Sequence, residues 1–270
     1  MAVINTESAV PKQSKIENLL PRTKDGKSFI LSEGLKNNSW GFINQWIACE
    51  KADGTNMRVH ANQNGDFLIG GKSDNANIAG DLVTWIETKL GGESGEDARF
   101  ILDKLAEIGY EGYTVTLFGE GIGPKLERNR HGLEEKQFML YDVHFSKDDG
   151  RSFFAPPSDI QEIGTILDIP TVKMAPPADI ETIYQMVSAD EWEERIGYDA
   201  EGIVAYPPSP VYDTFGNRMC FKLKRADVLR IAEQVKAEQE AQAVAIEVEE
   251  GPLEAAEKIV EETREVVVEA

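Results

Sequence analysis

The chain predicts an α+β fold, on three observations. Apolar residues alternate with polar ones on either side of the turn pair Asn64-Gly65, which is the signature of a β-hairpin. Ile78 to Leu90 and Asp97 to Ile108 instead carry their apolar residues at helical spacing. Strand-like and helix-like segments do not alternate strictly along the chain, so a parallel α/β sheet is not the expected outcome.

In chain order, residues 1 to about 40 read as a polar arm anchored by Ile16-Leu19-Leu20 and Phe29-Ile30-Leu31. The apolar run Trp46 to Cys49 predicts a strand that ends at Lys51 and the Asp53-Gly54 turn. Met57 and Val59 then begin the hairpin, which returns through Phe67-Leu68-Ile69. In the first helix Leu82, Trp85, Ile86 and Leu90 share a face; in the second Ile101, Leu105 and Ile108 do. Strands follow at Tyr113 to Phe118 and Phe138 to Phe145, and Pro156-Pro157 reads as a break. Ile180, Ile183, Val187 and Trp192 predict one helix from Ile180 to about Arg195. Strands at Gly202 to Tyr206 and Met219 to Leu223 enclose a loop. From Ala226 the pattern is helical, Glu- and Ala-rich, and interrupted at Gly251-Pro252. This divides the chain into an arm (1–40), a main domain (41–225) and an acidic tail (226–270), the tail being a helical pair or partly disordered.

With 270 residues, the chain is long enough for a sizeable core. No run approaches the roughly 20 apolar residues needed to span a bilayer, and Met1 to Lys15 lacks an apolar signal core, so a cytoplasmic protein with no membrane partner is expected. Cys49 and Cys220 sit in apolar runs, as reduced core thiols do. The net charge of −20 weighs against nucleic acid. However, 13 acids against 4 bases follow Arg225, so the tail supplies nearly half of the imbalance. Basic residues gather instead at Lys125, Arg128, Arg130, Lys222, Lys224 and Arg225.

The stretch Glu50-Lys51-Ala52-Asp53-Gly54-Thr55-Asn56-Met57-Arg58 carries the most chemistry. It holds one lysine between a strand and a tight turn, with Asn56 and Arg58 as nearby donors. Alone, it describes a solvated strand-end lysine better than it describes a nucleophile, and a lysine attacks only when neutral. Gly70-Gly71-Lys72-Ser73 imitates a P-loop but fails the pattern, because the required glycine is Asp66. His60, His131 and His144 are scattered and lack ligand spacing for zinc.

Four further segments follow: Gly70 to Ser73, Phe118-Gly119-Glu120-Gly121-Ile122-Gly123, Phe138 to Val143, and Glu201-Gly202-Ile203-Val204 with Phe221-Lys222-Leu223-Lys224. Taken with the lysine stretch, this order resembles the covalent nucleotidyltransferase superfamily of ATP-dependent DNA ligases, RNA ligases and mRNA capping enzymes. Asn56 resembles the RNA ligase branch, which includes phage nick-sealing and RNA-editing (RNA repair) ligases, whereas DNA ligases usually carry arginine there. The resemblance covers roughly Trp46 to Arg225. It implies two antiparallel sheets flanked by helices with a nucleotide held between them, followed here by the acidic helical tail.

It also implies roles. Lys51 would attack ATP to give a lysyl-AMP phosphoramidate. Asn56 would contact the ribose or position the acceptor strand, or merely cap a turn. Arg58 would pair with a phosphate or with Glu50. Lys72 stands where the family usually has arginine, and a plain surface lysine is equally consistent. Glu120 would accept from ribose hydroxyls. Phe138 would stack on adenine, with a core aromatic as the alternative. Glu201 would hold Mg²⁺ or Mn²⁺. Lys222 and Lys224 face one side of a strand, where two cations call for an anion between them. The resulting expectation is an ATP-dependent RNA ligase joining 5′-phosphate and 3′-hydroxyl ends, on a nicked duplex or a broken tRNA. A DNA ligase, a capping guanylyltransferase, or an inert nucleotide-binding scaffold that self-associates through its tail are the alternatives.

Overall fold

The structure is a computed structural model and describes residues 13, 15–73 and 75–241. Two sheets make the frame. The first has strands β1 (Glu17–Asn18), β9 (Phe221–Lys224), β8 (Gly202–Tyr206) and β2 (Ile47–Glu50), in the order β1-β9-β8-β2. The second is ordered β4-β3-β5-β6-β7, from β4 (Phe67–Gly71), β3 (Thr55–Ala61), β5 (Thr114–Ile122), β6 (Gln137–Ser146) and β7 (Ser152–Phe154). Every pairing is antiparallel except β1 with β9. The fold is α+β, as the alternation pattern predicts.

Helices cover the outer faces. Against the second sheet lie α1 (Gly80–Leu90), α2 (Ala98–Ala106) and α3 (Pro157–Ile166). α1 buries Leu82, Ile86 and Leu90, spaced four apart, while α2 buries Ala98, Ile101 and Leu105. Each such aliphatic side chain removed from water contributes about 1.5–3 kcal/mol. The Asp97 carboxylate accepts from the Arg99 amide and starts α2. α4 (Ile180–Ser188) and α5 (Glu191–Ile196) pack with Trp40, Trp46 and Phe221 against the first sheet. Between the sheets lies a third apolar cluster that includes Cys49, Ile122, Met139, Val172 and Tyr206.

Several boundaries differ from expectation. β5 runs on through Gly121 to Ile122, so Glu120 lies inside a strand opposite Asn56 rather than at a strand end. Pro157 does not break the chain; it opens α3 at the first turn, where its missing N–H is harmless. The single helix expected from Ile180 to Arg195 is two, because Asp190 adopts φ +64° between them. The arm joins the first sheet: β1 lies on β9, and Leu19 and Trp40 enter its core. Residues 225–241 are helical, and Val228 packs into the same core. The rest of the predicted tail lies outside the described residues.

Candidate active site

Lys51 follows β2, and its amide donates to the Gly202 carbonyl at 3.0 Å, tying the lysine to the start of β8. Two glycines make the approach possible. A Cβ on Gly54 would sit 2.1 Å from the Gly121 carbonyl oxygen, and one on Gly202, at φ +149°, would sit 2.2 Å from that of Leu223. Any side chain at either place would push the lysine turn or Glu201 out of position.

The ammonium of Lys51 is ion-paired to Glu201, and the other oxygen of that carboxylate is ion-paired to Lys224. Lys222 shares the face of β9 with Lys224, since Phe221 and Leu223 turn into the core. Burial pushes the Lys222 ammonium below its usual range, and the cations Lys224, Lys51 and Lys15 push it further. Lys222 is therefore the one of these lysines whose charge is least compensated.

A cavity of about 460 Å³ opens between the sheets beside this group. The first sheet and the arm contribute Lys51, Lys222, Tyr206, Gln13 and Lys15; the second contributes Asn56, Arg58, Glu120 and Tyr141, with Lys72 at the rim. Asn56 Nδ2 donates to the Tyr141 hydroxyl at 2.5 Å, and that hydroxyl donates to Gln13 at 3.0 Å. The buried Arg58 donates from Nε to the Gly71 carbonyl at 2.8 Å. The pKa of Glu120 is raised to about 7, chiefly by burial; Lys51 opposes the shift, while Glu201 and Asp53 reinforce it.

Of the residues singled out in the sequence, Lys51, Asn56, Arg58, Lys72, Glu120 and Lys222 line this one cavity; Glu201 meets Lys51 beside it, and Lys224 meets Glu201. Phe138 does not join them. Its ring is 0% exposed, lies in the core beneath α1 and presses on Gly119, so it occupies the opposite face of the sheet from the cavity. The aromatic that β6 does present is Tyr141, three residues on. A register shift opposite Phe118 and Gly119 leaves Tyr141 as an extra residue in β6. Sequence reasoning also passed over Gln13 and Lys15, because nothing in a polar arm announces which strand it will pair with.

The carboxylates suit a divalent cation of the hard, oxygen-binding kind. Among the described residues no group of three or more acidic, histidine or cysteine side chains gathers as a self-sufficient cage. Mg²⁺-type sites need only one or two carboxylates when phosphate oxygens and water complete the shell. Glu120 and Glu201 supply that number.

Residues 44–224 match the RNA ligase family. The chain belongs to that family. Solved structures similar to this chain are Naegleria gruberi RNA ligase variants: an apo form (TM-score 0.52, 16% identity, 82% of this chain and 58% of that one) and a form with AMP and Mn (0.52, 15%, 82% and 58%). A third, with ATP and Mn, gives a TM-score of 0.51 at 15% identity over 81% of this chain and 58% of that one. At such identities the likeness establishes the fold alone. The chain spans 58% of the length of those ligase chains. No curated protein sequence matches it. Among the described residues no helix is long and apolar enough to cross a membrane.

Proposed function

We propose that this RNA ligase family member is an ATP-dependent enzyme that joins RNA 5′-phosphate and 3′-hydroxyl ends through AMP held covalently on Lys51. The observation that carries the reading is one amine, paired to a carboxylate, opening onto a cavity that also gathers Lys222, Asn56, Arg58 and Glu120. ATP with Mn accompanies one of the similar Naegleria ligases, and AMP with Mn another, which supports the same nucleotide and metal here.

In this reading Nζ of Lys51 attacks the α-phosphorus, a P–N bond forms, and the P–O bond to pyrophosphate breaks. A proton must leave Nζ first, and Glu201 is the base in contact with it. Lys222 and Lys224 stand ready on one face of β9 to take the phosphate charge. A Mg²⁺ or Mn²⁺ held by Glu201 and Glu120 would supply further charge neutralisation on the phosphate oxygens. Glu120 accepts from the ribose, and Tyr141 rather than Phe138 offers a ring to the base, with Asn56 fixing its hydroxyl. AMP then passes to an RNA 5′-phosphate, and attack by a 3′-hydroxyl releases it. Residues 41–225 form the catalytic unit, and the acidic tail serves self-association or a protein partner.

Incubation with α-labelled ATP and Mg²⁺ or Mn²⁺ tests this directly. Wild type should become covalently labelled and Lys51→Ala should not. GTP in the parallel arm separates a capping enzyme, and nicked RNA against nicked DNA separates a DNA ligase. Wild type that stays unlabelled under all conditions ends the reading.

A further inference from the structure

We infer that Arg130 and His131 form a two-residue clasp that positions Lys51 against Glu201, a role that rests on the ligase reading above. Both residues come from the loop between β5 and β6, far from the lysine in sequence. His131 Nε2 lies 2.7 Å from Glu50 Oε1, immediately before Lys51. A carboxylate only accepts, so Nε2 carries the hydrogen. The other Glu50 oxygen accepts from the Lys173 amide at 3.3 Å. Arg130 takes the opposite flank: its Nε donates to Asp53 at 2.6 Å, two residues after Lys51.

The same guanidinium also grips the segment that leads into Glu201. Arg130 Nη1 donates to the Asp199 carbonyl at 3.1 Å and is ion-paired to the Asp199 carboxylate, two residues before Glu201. One planar fork therefore spans the turn that follows the nucleophile and the turn that precedes its carboxylate partner. Lysine could not reproduce this, because its ammonium is a single point of donation. The loop is itself braced, with Asn129 Oδ1 accepting from the Leu133 amide and Asn129 Nδ2 donating to the Leu133 carbonyl. Both members of the clasp are largely shielded from solvent, with side chains 11% exposed for Arg130 and 7% for His131, so water does not loosen them.

Neither residue lines the cavity that holds Lys51 and Lys222, and Arg130 borders instead a neighbouring one with Asp53, Asp199, Glu201 and Lys224; the contacts of both residues fall on the segments either side of Lys51 and before Glu201. Lys51 has a long, flexible side chain, and the position of its Cα decides where Nζ can reach. A misplacement near 1 Å at a reacting group costs about 100-fold in rate.

The test is the single-turnover rate of AMP attachment across ATP concentrations for wild type, Arg130→Gln, Arg130→Lys and His131→Asn, with thermal melting alongside. Arg130→Gln should lower the maximal rate about 10- to 100-fold while half-saturating ATP moves less than about threefold. Arg130→Lys should recover part of the rate, since it restores one donor but not the fork. A variant that melts earlier yet labels at the wild-type rate per folded molecule overturns the clasp. If Arg130→Gln does not fold, Asp199→Ala removes the side-chain acceptor of one arm at a carboxylate that is 67% exposed. A slowed rate there supports the clasp and an unchanged rate overturns it. Unlabelled wild type would instead remove the ligase reading, and the clasp's role with it.

Discussion

Lys51 and Glu201 meet directly, although 150 residues separate them in sequence, and Lys224 holds the second oxygen of the same carboxylate. The arrangement fixes the orientation of Glu201 from both sides. It also leaves the cavity lined by Lys222, whose pKa is depressed by burial and by the cations Lys224, Lys51 and Lys15. An incoming phosphate would meet that cation first.

Glu201→Gln should slow AMP attachment by at least about 100-fold, since it removes the carboxylate base paired to Nζ. The change in folding stability should be small, within about 1 kcal/mol, because ion pairs that keep access to water are worth little. Single-turnover labelling and urea unfolding, run on the same preparation, separate the two effects. A large loss of stability with an intact rate would place Glu201 in the scaffold rather than the chemistry.

Glu120 makes a pH-dependent contribution to stability whose sign can be worked out. Its carboxyl pKa rises from 4.5 to about 7, first through burial and then through Glu201 and Asp53. The folded state thus binds the proton more tightly than the unfolded chain. Its contribution is fully present below pH 4.5 and is lost as pH rises through about 7. Glu120→Gln, which cannot ionise, should therefore stabilise the ligand-free protein at pH 8 by about 1–3 kcal/mol, and much less at pH 5. Urea midpoints at the two pH values check this, and equal effects at both would refute it.

The two cysteines should resist alkylation in the native state. Burial pushes the Cys49 thiol up to about 12 and the Cys220 thiol to about 11, with Asp142 adding to each and Arg218 opposing. Only the thiolate reacts, and at pH 8 almost none is present. A thiol reagent should modify both quickly in guanidinium chloride and slowly without it. Fast native modification of Cys49 would mean that the strand β2 opens readily, with Lys51 at its end.

Much of the site was legible in the sequence because its chemistry is carried on local patterns. The Lys51-Ala52-Asp53-Gly54 turn, the alternation of Lys222 and Lys224 with Phe221 and Leu223, and the helical spacing of Leu82, Ile86 and Leu90 each depend on neighbours a few residues away. What escaped depends on distant partners or on register. Phe138 and Tyr141 occupy one strand, and strict alternation already puts them on opposite faces. The base-facing role fell to Phe138 by resemblance, whereas the buried core beneath α1 claims its ring. Arg130 reads in the sequence as one of a basic group and His131 as a scattered histidine, because their partners, Glu50, Asp53 and Asp199, become neighbours only after both sheets form. The arm could not be placed for the same reason: β1 is two residues long, and its parallel partner β9 lies some 200 residues downstream.

The two sheets are also joined by a buried ion pair that the sequence does not announce. Arg218, from the loop before β9, donates to Asp142 of β6 at 2.5 Å, with side chains 10% and 3% exposed. Its guanidinium lies 4.5 Å from the ring centres of both Phe154 and Tyr206, so cation–π attraction adds to the charge pairing. Burial still raises the Asp142 pKa, although Arg218, the Val143 amide and Gln13 all favour the carboxylate. Removing Arg218 leaves that charge alone in the interior, and Arg218→Ala should cost about 3–5 kcal/mol. Asp142→Asn strands the guanidinium instead and should cost a similar amount, while the double variant Arg218→Met with Asp142→Leu should recover much of the loss, since neither charge then remains to be buried. Urea unfolding of the four proteins measures the coupling. Additive single losses with no recovery in the double variant would mean that the rings, not the charges, hold the sheets together here.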